Sequence, residues 1–175
     1  ALATDVAEQA ALAALAHLQG VRGRMERAAI LPNGAVIYVD YAHTPDALTR
    51  LLAALRPHVA GRLHVLFGAG GDRDPGKRPL MGRAAAEAAD RVWITDDTPR
   101  SENPAASRAA VMAGCPEAID AGAREEAIAK AIGALGPGDV LAVAGKGHET
   151  GQEIAGTLHP FDDVAVVRKL AGGVP

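Results

Sequence analysis

The stretch LHVLFGAGG, Leu63 to Gly71, decides the fold, because an apolar run stops directly at a cluster of glycines. Three other stretches follow the same plan: VIYVD before YAHTP from Val36, RVWI before TDDTPR from Arg91, and VLAVA before GKGHE from Val140. Such runs are typical of parallel strands that are buried on both faces, and ligands of open parallel sheets bind beyond the carboxyl ends of the strands. We therefore predict that the four polar clusters lie along one edge of a sheet.

Helical segments alternate with these strands. Thr44-Pro45 and Asn103-Pro104 each place a capping side chain before a proline, a pattern typical of a helix start. The segment from Gln152 to Leu158 has no helical stripe and contains a central glycine, which predicts a hairpin. The pattern predicts an α/β fold: a three-layer, Rossmann-like domain with a mostly parallel sheet and an antiparallel element near the C-terminus.

Composition narrows the class of protein. The 175 residues are 49% hydrophobic, which suffices for one well-buried core, and the formal net charge of -3 gives no general attraction to nucleic acid or anionic lipid. No apolar run approaches the ~20 residues that a membrane-spanning helix needs. We expect a soluble, cytoplasmic protein that binds neither nucleic acid nor membranes.

The first part of the chain reads differently from the rest. An Ala-rich segment from Asp5 to Leu18 favours a helix that ends at Gly20. We expect residues 1–21 to be a hinge helix that arrives from a preceding domain, and residues 22–175 to form the domain itself.

Two glycine-rich patterns resemble nucleotide-binding motifs without completing them. Gly71 to Lys77 has the spacing of a phosphate-binding loop, but Arg78 stands where a Ser or Thr would bind magnesium. Gly68 to Gly71 begins like a dinucleotide fingerprint, but Arg73 stands at the third glycine position. The segment is therefore a charged loop whose position at a strand end favours a binding role.

The other strand ends carry complementary charges. Asp40 closes one strand and His43 precedes a helix, while TDDTPR places two acids and an arginine together, as suits a zwitterionic ligand. GKGHE combines close backbone approach with Lys146 and Glu149. The His and acid spacing does not complete a metal site, and we predict none in this domain.

Five segments resemble, in order, the C-terminal domain of the Mur ligases, and most closely of those that add meso-diaminopimelate. They are GRME at 23–26, VDYAHTPDAL at 39–48, FGAGGDRDPGKRPLMG at 67–82, TDDTPRSENP at 95–104 and AGKGHE at 144–149. These enzymes have three domains, and their P-loop and carbamylated lysine lie in the middle one. The resemblance implies that this chain is the third domain.

The resemblance also implies a reaction and a set of ligands. ATP phosphorylates the D-glutamyl γ-carboxylate of UDP-MurNAc-L-Ala-D-Glu, and the amine of the incoming amino acid attacks the acyl phosphate, in peptidoglycan precursor synthesis. Magnesium would be held mainly by the middle domain, and the UDP-linked dipeptide would bind through the other domains. By resemblance the diaminopimelate-binding residues are Arg73, Asp97, Thr98, Pro99, Arg100, Gly145 and Glu149, and the ATP-binding residues are Arg24, Asp40 and His43.

The side-chain chemistry agrees with that assignment. Diaminopimelate differs from lysine by one carboxylate, which a planar guanidinium such as that of Arg100 can grip through two parallel hydrogen bonds. The family signature is Asp-Asn-Pro-Arg, and Thr98 replaces its Asn here. Three alternatives stay open: another Mur ligase, a ligase like folylpolyglutamate synthase, and a non-catalytic nucleotide- or amino-acid-binding module.

Overall fold

A single mixed sheet forms the centre of the protein. In the computed structural model, which describes residues 7–15, 17 and 20–172, this sheet has six strands in the order β1-β2-β6-β3-β4-β5. Strand β1 runs antiparallel to β2 and the other neighbours are parallel, which confirms the prediction of a mostly parallel sheet. The strands are β1 (Glu26–Ile30), β2 (Val36–Asp40), β3 (Leu63–Phe67), β4 (Arg91–Thr95), β5 (Ile119–Gly122) and β6 (Val140–Ala144).

Helices cover both faces of the sheet. Successive strand residues point to opposite faces, so Val65 and Phe67 pack in the cluster that includes α2, α3 and α4, while Leu66 packs with α5 and α6. These three layers confirm the predicted α/β architecture. The helices are α1 (Glu8–Leu15), α2 (Pro45–Leu55), α3 (Lys77–Ala88), α4 (Pro104–Met112), α5 (Arg124–Gly133) and α6 (Asp163–Leu170).

The helix starts follow the capping signals. Thr44 Oγ1 accepts a hydrogen bond from the Ala47 N–H at 3.2 Å, and Asn103 Oδ1 accepts one from the Ala105 N–H at 2.9 Å. Helix α3 begins at Lys77, at the end of the charged loop after β3. Pro79 lies in its first turn, where the backbone N–H that proline lacks is not needed.

The predicted hairpin is present. Strands β7 (Gly151–Ile154) and β8 (Thr157–Pro160) pair antiparallel as a separate two-stranded sheet. Ala155 and Gly156 join them with φ of 49° and 77°, the positive values that a tight hairpin turn requires.

Helix α1 lies at the start of the described part of the chain. Helix α1 buries none of its residues. Part of the predicted hinge helix, namely residues 1–6, 16, 18 and 19, lies outside the described residues, and its role as a hinge stays a prediction. Among the described helices, none combines the length and the apolar character needed to cross a membrane.

Candidate functional site

A cavity of about 350 Å³ lies at the carboxyl ends of β2, β3, β4 and β6. Each of the four polar clusters contributes to its lining, for example through His43, Gly70, Asp97 and Gly145. The sequence prediction that these clusters share one edge is therefore confirmed.

The loop after β3 is held against the loop after β4 by backbone contacts at Gly71. The Gly71 N–H donates to the Thr98 carbonyl oxygen at 2.9 Å, and Arg100 Nη1 donates to the Gly71 carbonyl oxygen at 2.6 Å. A Cβ atom on Gly71 would overlap the Pro99 carbonyl oxygen, so this approach requires glycine. The two loops consequently form one wall of the cavity.

Acidic residues fasten the same two loops from behind. Asp72 accepts hydrogen bonds from the Ser101 hydroxyl at 2.6 Å and from its N–H at 3.2 Å, and these bonds lower the pKa of Asp72. Glu102 accepts from the Asp72 N–H at 2.8 Å, the Ser107 hydroxyl at 2.9 Å and Arg78 Nη2 at 2.7 Å. The pKa of Glu102 is lowered, chiefly by the Asp72 N–H. The loop after β3 is thus braced, which the sequence did not indicate.

One side of the cavity is mainly cationic, although the loop after β3 also places Asp74 in the lining. Arg73, Lys77, Arg78 and Arg100 all line it, and Arg78 is buried, with 6% of its surface exposed. Arg100 has a φ of 53°, and its backbone is held by hydrogen bonds to Glu153 and Ala155 of the hairpin. Two of the predicted diaminopimelate-binding residues, Arg73 and Arg100, therefore lie together.

The other side of the cavity is anionic. Asp97, 8% exposed, and Glu149 line it beside Gly145 and Thr98. A Cβ atom on Gly145, whose φ is 113°, would lie 3.0 Å from Asp97 Oδ2. The acid before it, Asp96, instead pairs with Arg108. Of the predicted set, Pro99 is the residue that does not line the cavity, and it contacts Gly71 through its carbonyl.

Lys146 connects the segments of the anionic side from inside the domain. Its side chain is fully buried, and Nζ lies 3.2 Å from Glu149 Oε2, 3.5 Å from Thr98 Oγ1 and 2.5 Å from the Gly151 carbonyl oxygen. Sequence reasoning placed Lys146 among the charges after β6 but did not predict its burial, because lysine is usually exposed.

The three residues predicted to bind ATP lie at the β2 end of the cavity. Asp40 accepts the N–H groups of Met25 at 2.7 Å and Ala42 at 2.8 Å, and so shapes the turns on either side of it. The Arg24 guanidinium lies 4.6 Å from the centre of the Tyr41 ring. Of the three, His43 lines the cavity, whereas Arg24 and Asp40 lie outside its lining.

An aromatic cluster extends this region. The Tyr41 ring centre lies 4.5 Å from that of His43 and 5.0 Å from that of His148. His43 Nδ1 lies 2.8 Å from the Tyr41 carbonyl oxygen, which can only accept, so Nδ1 donates this hydrogen bond. Sequence reasoning assigned no binding role to Tyr41 or His148, although both lie within the strand-end motifs.

A buried ion pair supports the turn after β6. Arg124 donates from Nε and Nη2 to the two carboxylate oxygens of Asp163, both at 2.8 Å, and both side chains are fully buried. Arg124 Nη2 also donates to the Ala144 carbonyl oxygen at 2.9 Å. Burial is the largest single influence and lowers the pKa of Arg124, but the charge and hydrogen bonds of Asp163, together with the charges of Asp97 and Glu149, outweigh it and raise this pKa. The pair lies directly behind Gly145.

Two glycines, Gly23 and Gly147, bring the start of the domain against the turn after β6. A Cβ atom on Gly23 would overlap the backbone of Gly147 and His148, and Gly23 has a φ of 65°.

In the part of the chain that the structure describes, no group of three or more His, Cys, Asp or Glu residues is arranged to hold a metal ion.

Comparisons with known proteins agree on one family. Residues 23–147 match the family described as Mur ligase, glutamate ligase domain. The chain is 55% identical over 169 residues to the UDP-N-acetylmuramoyl-L-alanyl-D-glutamate--2,6-diaminopimelate ligase of Chelativorans sp. (strain BNC1), covering 97% of this chain and 35% of that protein. It is also 55% identical over 163 residues to the ligase of the same name from Caulobacter vibrioides, covering 93% of this chain and 34% of that protein.

Solved structures show the same relationship. A structure of a ligase with that name superimposes with a TM-score of 0.78 at 41% identity, covering 96% of this chain and 35% of the other. Mycobacterium tuberculosis folylpolyglutamate synthase, complexed with ADP and AMPPCP, matches with a TM-score of 0.60 at 20% identity, over 98% of this chain and 36% of the other, and shows a shared fold. The chain thus spans 35% of the length of the first curated relative.

Proposed function

Because the chain belongs to the Mur ligase family, we propose that it is the C-terminal domain of a ligase that adds meso-diaminopimelate to UDP-MurNAc-L-Ala-D-Glu. The two relatives described above carry the name of that activity. The observation that supports it most strongly is the division of the cavity into a cationic side at Arg73 and Arg100 and an anionic side at Asp97 and Glu149. Such a site suits an amino acid with both ammonium and carboxylate groups.

The cationic side accounts for a preference for diaminopimelate over lysine. The distal carboxylate of diaminopimelate would accept hydrogen bonds from Arg100 and Arg73, while Glu149 would hold the distal ammonium. Lysine has no distal carboxylate, so Arg100 would keep its contacts with the Gly71 carbonyl oxygen and Glu153 but would lose the two parallel hydrogen bonds to the ligand. Sites built around buried polar groups can reject such an analogue by about 10⁴-fold.

Thr98 keeps a polar contact at the position where the family signature has Asn. Its hydroxyl donates to Asp97 Oδ1 at 3.2 Å and accepts from Lys146 at 3.5 Å. A hydroxyl has one proton to donate, so the remaining lone pair of Thr98 can only accept. We propose that Thr98 contributes to the ammonium side of the site.

The chemical step follows from the low reactivity of a carboxylate toward amines. Transfer of the γ-phosphoryl group of ATP to the D-glutamyl γ-carboxylate gives ADP and an acyl phosphate; the neutral amine then attacks the acyl carbon, an amide forms, and phosphate and a proton leave. Arg24 would neutralise phosphate charge, and Asp40 and His43 would face the nucleotide as the domain closes over it. Magnesium would be held mainly by the middle domain and would screen the phosphate charge.

The test uses the full-length protein and measures the reaction in the direction of amide synthesis. Purified enzyme, ATP, magnesium and UDP-MurNAc-L-Ala-D-Glu are incubated with diaminopimelate, lysine or glutamate, and the product and phosphate are measured. Product with diaminopimelate, at a kcat/KM far above that with the other two, is expected. Product with lysine or glutamate in place of diaminopimelate would identify a Mur ligase of different amino-acid specificity. Product with glutamate only when a folate replaces the UDP-linked dipeptide would identify a folylpolyglutamate synthase-like enzyme, and binding without product would identify a non-catalytic module.

The isolated 175-residue chain provides a second test. The sequence motif at Gly71 to Arg78 does not complete a P-loop, so we expect no ATP- and diaminopimelate-dependent product from this chain alone. Detectable ligation by the purified chain would contradict the proposal that ligation also requires the other domains.

A further inference from the structure

Lys146 is a fully buried ammonium whose three N–H groups face three acceptors on three different segments. Thr98 belongs to the loop after β4, Glu149 to the turn after β6, and the Gly151 carbonyl to the start of β7. A buried lysine without such partners would be strongly unfavourable, because burial penalises the charged form. The arrangement therefore ties the position of the lysine to that of both cavity-lining residues.

The contact with Glu149 leaves half of that carboxylate available. Lys146 binds Oε2, and Oε1 has no hydrogen-bond partner among the residues that the structure describes. Glu149 lines the cavity with 42% of its side chain exposed, so without the lysine its carboxylate is free to rotate in solvent. A charge-assisted hydrogen bond restricts that rotation and keeps Oε1 as the free acceptor.

We propose that Lys146 is a positioning residue that builds the ammonium-binding side of the cavity, by fixing the carboxylate of Glu149 and the hydroxyl of Thr98. The inference rests on the proposed function, since the ammonium is the distal one of diaminopimelate. Lys146 itself does not line the cavity and does not touch the ligand. It acts through Glu149 and Thr98.

The experiment compares Lys146→Met with wild type in the full-length enzyme. Two amino acids are used: diaminopimelate, and 2-aminopimelate, which has both carboxylates and the reactive amine but lacks the distal ammonium. For the substitution we expect the KM for diaminopimelate to rise about tenfold or more, as for loss of a hydrogen bond to a charged group. The KM for ATP and the inhibition constant of 2-aminopimelate should each stay within about twofold of wild type, since neither depends on the ammonium contact.

The control is Lys169→Met, which removes a lysine that is exposed on α6 and paired with Glu125. It should leave all three constants unchanged. Thermal unfolding of each variant measures the folded fraction, and Lys146→Gln, which keeps a donor for the Gly151 carbonyl, is the second variant if Lys146→Met is unstable.

The outcomes distinguish the proposed function from the positioning role of Lys146. Wild-type enzyme that neither binds nor ligates diaminopimelate would refute the proposed function. An active wild type with an unchanged KM for diaminopimelate in Lys146→Met, or with equal losses for both amino acids, would overturn the positioning role. Failure of both Lys146 variants to fold cooperatively would assign the residue to structure alone and would also overturn it.

Discussion

Breaking the buried pair between Arg124 and Asp163 should be among the most destabilising single changes in the domain. The two side chains are fully buried and joined by two hydrogen bonds of 2.8 Å, and Arg124 also binds the Ala144 carbonyl. Arg124→Met leaves a buried carboxylate without a counter-charge, which costs about 3 to 5 kcal/mol. A domain of this size has a total stability of only about 5 to 15 kcal/mol. Asp163→Asn should cost a comparable amount.

The double variant Arg124→Met/Asp163→Leu is the decisive measurement. Replacing a whole buried pair with apolar side chains is often neutral or stabilising, and Arg124 Nη1 has no hydrogen-bond partner among the described residues. The loss of an acid at the start of α6 costs only about 0.3 to 1 kcal/mol. We therefore expect the free energy of unfolding of the double variant, measured by urea unfolding, to lie within about 1 kcal/mol of wild type. This loss of stability is far smaller than the sum of the losses in the two single variants.

A matched control joins the same two helices at the surface. Glu125 on α5 and Lys169 on α6 pair at 2.9 Å with 50% and 73% of their side chains exposed. Lys169→Met should cost less than about 1 kcal/mol, because solvent screens an exposed pair. Losses below about 1 kcal/mol for both Arg124→Met and Asp163→Asn would refute the electrostatic argument.

Three further predictions concern the cavity and the opposite end of the sheet. Arg100→Lys in the full-length enzyme should lower kcat/KM with diaminopimelate by about 2 to 5 kcal/mol in free-energy terms, with little change in the KM for ATP, because a point charge cannot reproduce the guanidinium fork. Arg100→Ala should lower the ratio of kcat/KM with diaminopimelate to kcat/KM with lysine. An unchanged ratio would assign the binding of the distal carboxylate to Arg73 instead. Gly71→Ala should raise the KM for diaminopimelate, because the added Cβ overlaps the Pro99 carbonyl oxygen. The control Gly133→Ala should leave this KM unchanged, because no atom lies within 4 Å of its Cβ. Equal effects of the two substitutions would show that the contact between the loops after β3 and β4 does not matter for binding. Burial lowers the pKa of His64 below its ordinary 6.5 despite the opposing charge of Asp139, so the unfolded chain binds the proton first; the contribution of His64 to stability is complete above pH 6.5 and falls as the pH drops toward the folded pKa. Thermal unfolding between pH 5 and 8 should show that slope in wild type and a shallower one in His64→Gln; identical slopes would exclude His64 as its source.

The elements of the fold were largely predictable because their signals are local. Thr44-Pro45 and Asn103-Pro104 mark helix starts, and the apolar runs at Leu63 and Val140 mark buried strands. The position of β6 between β2 and β3 was not predictable, because strand order depends on contacts between residues far apart in sequence. The antiparallel pairing of β1 with β2 was not predicted either, although the two strands are consecutive in sequence and the turn between them at 31–35 was the available signal.

The location of the site was predictable and its supports were not. Strand-end motifs placed Asp97 and Gly145 at one edge, since the carboxyl ends of parallel strands meet there. Burial of Lys146 and Arg124 depends on neighbours contributed by distant segments, so neither residue has a local signature. The bracing of Asp72 by Ser101 likewise joins two loops whose proximity only the folded sheet creates.

The close approach of Gly23 to Gly147 and His148 packs the first turn of the domain directly against the turn after β6, which contributes to the cavity. A library of substitutions confined to residues that line the cavity would omit Gly23, although a side chain there must displace the turn that carries Glu149. Saturation mutagenesis should therefore score Gly23 as sensitively as a residue of the binding site itself. Any segment that enters the domain through Gly23 is subject to the same constraint, because its path is fixed against the turn after β6.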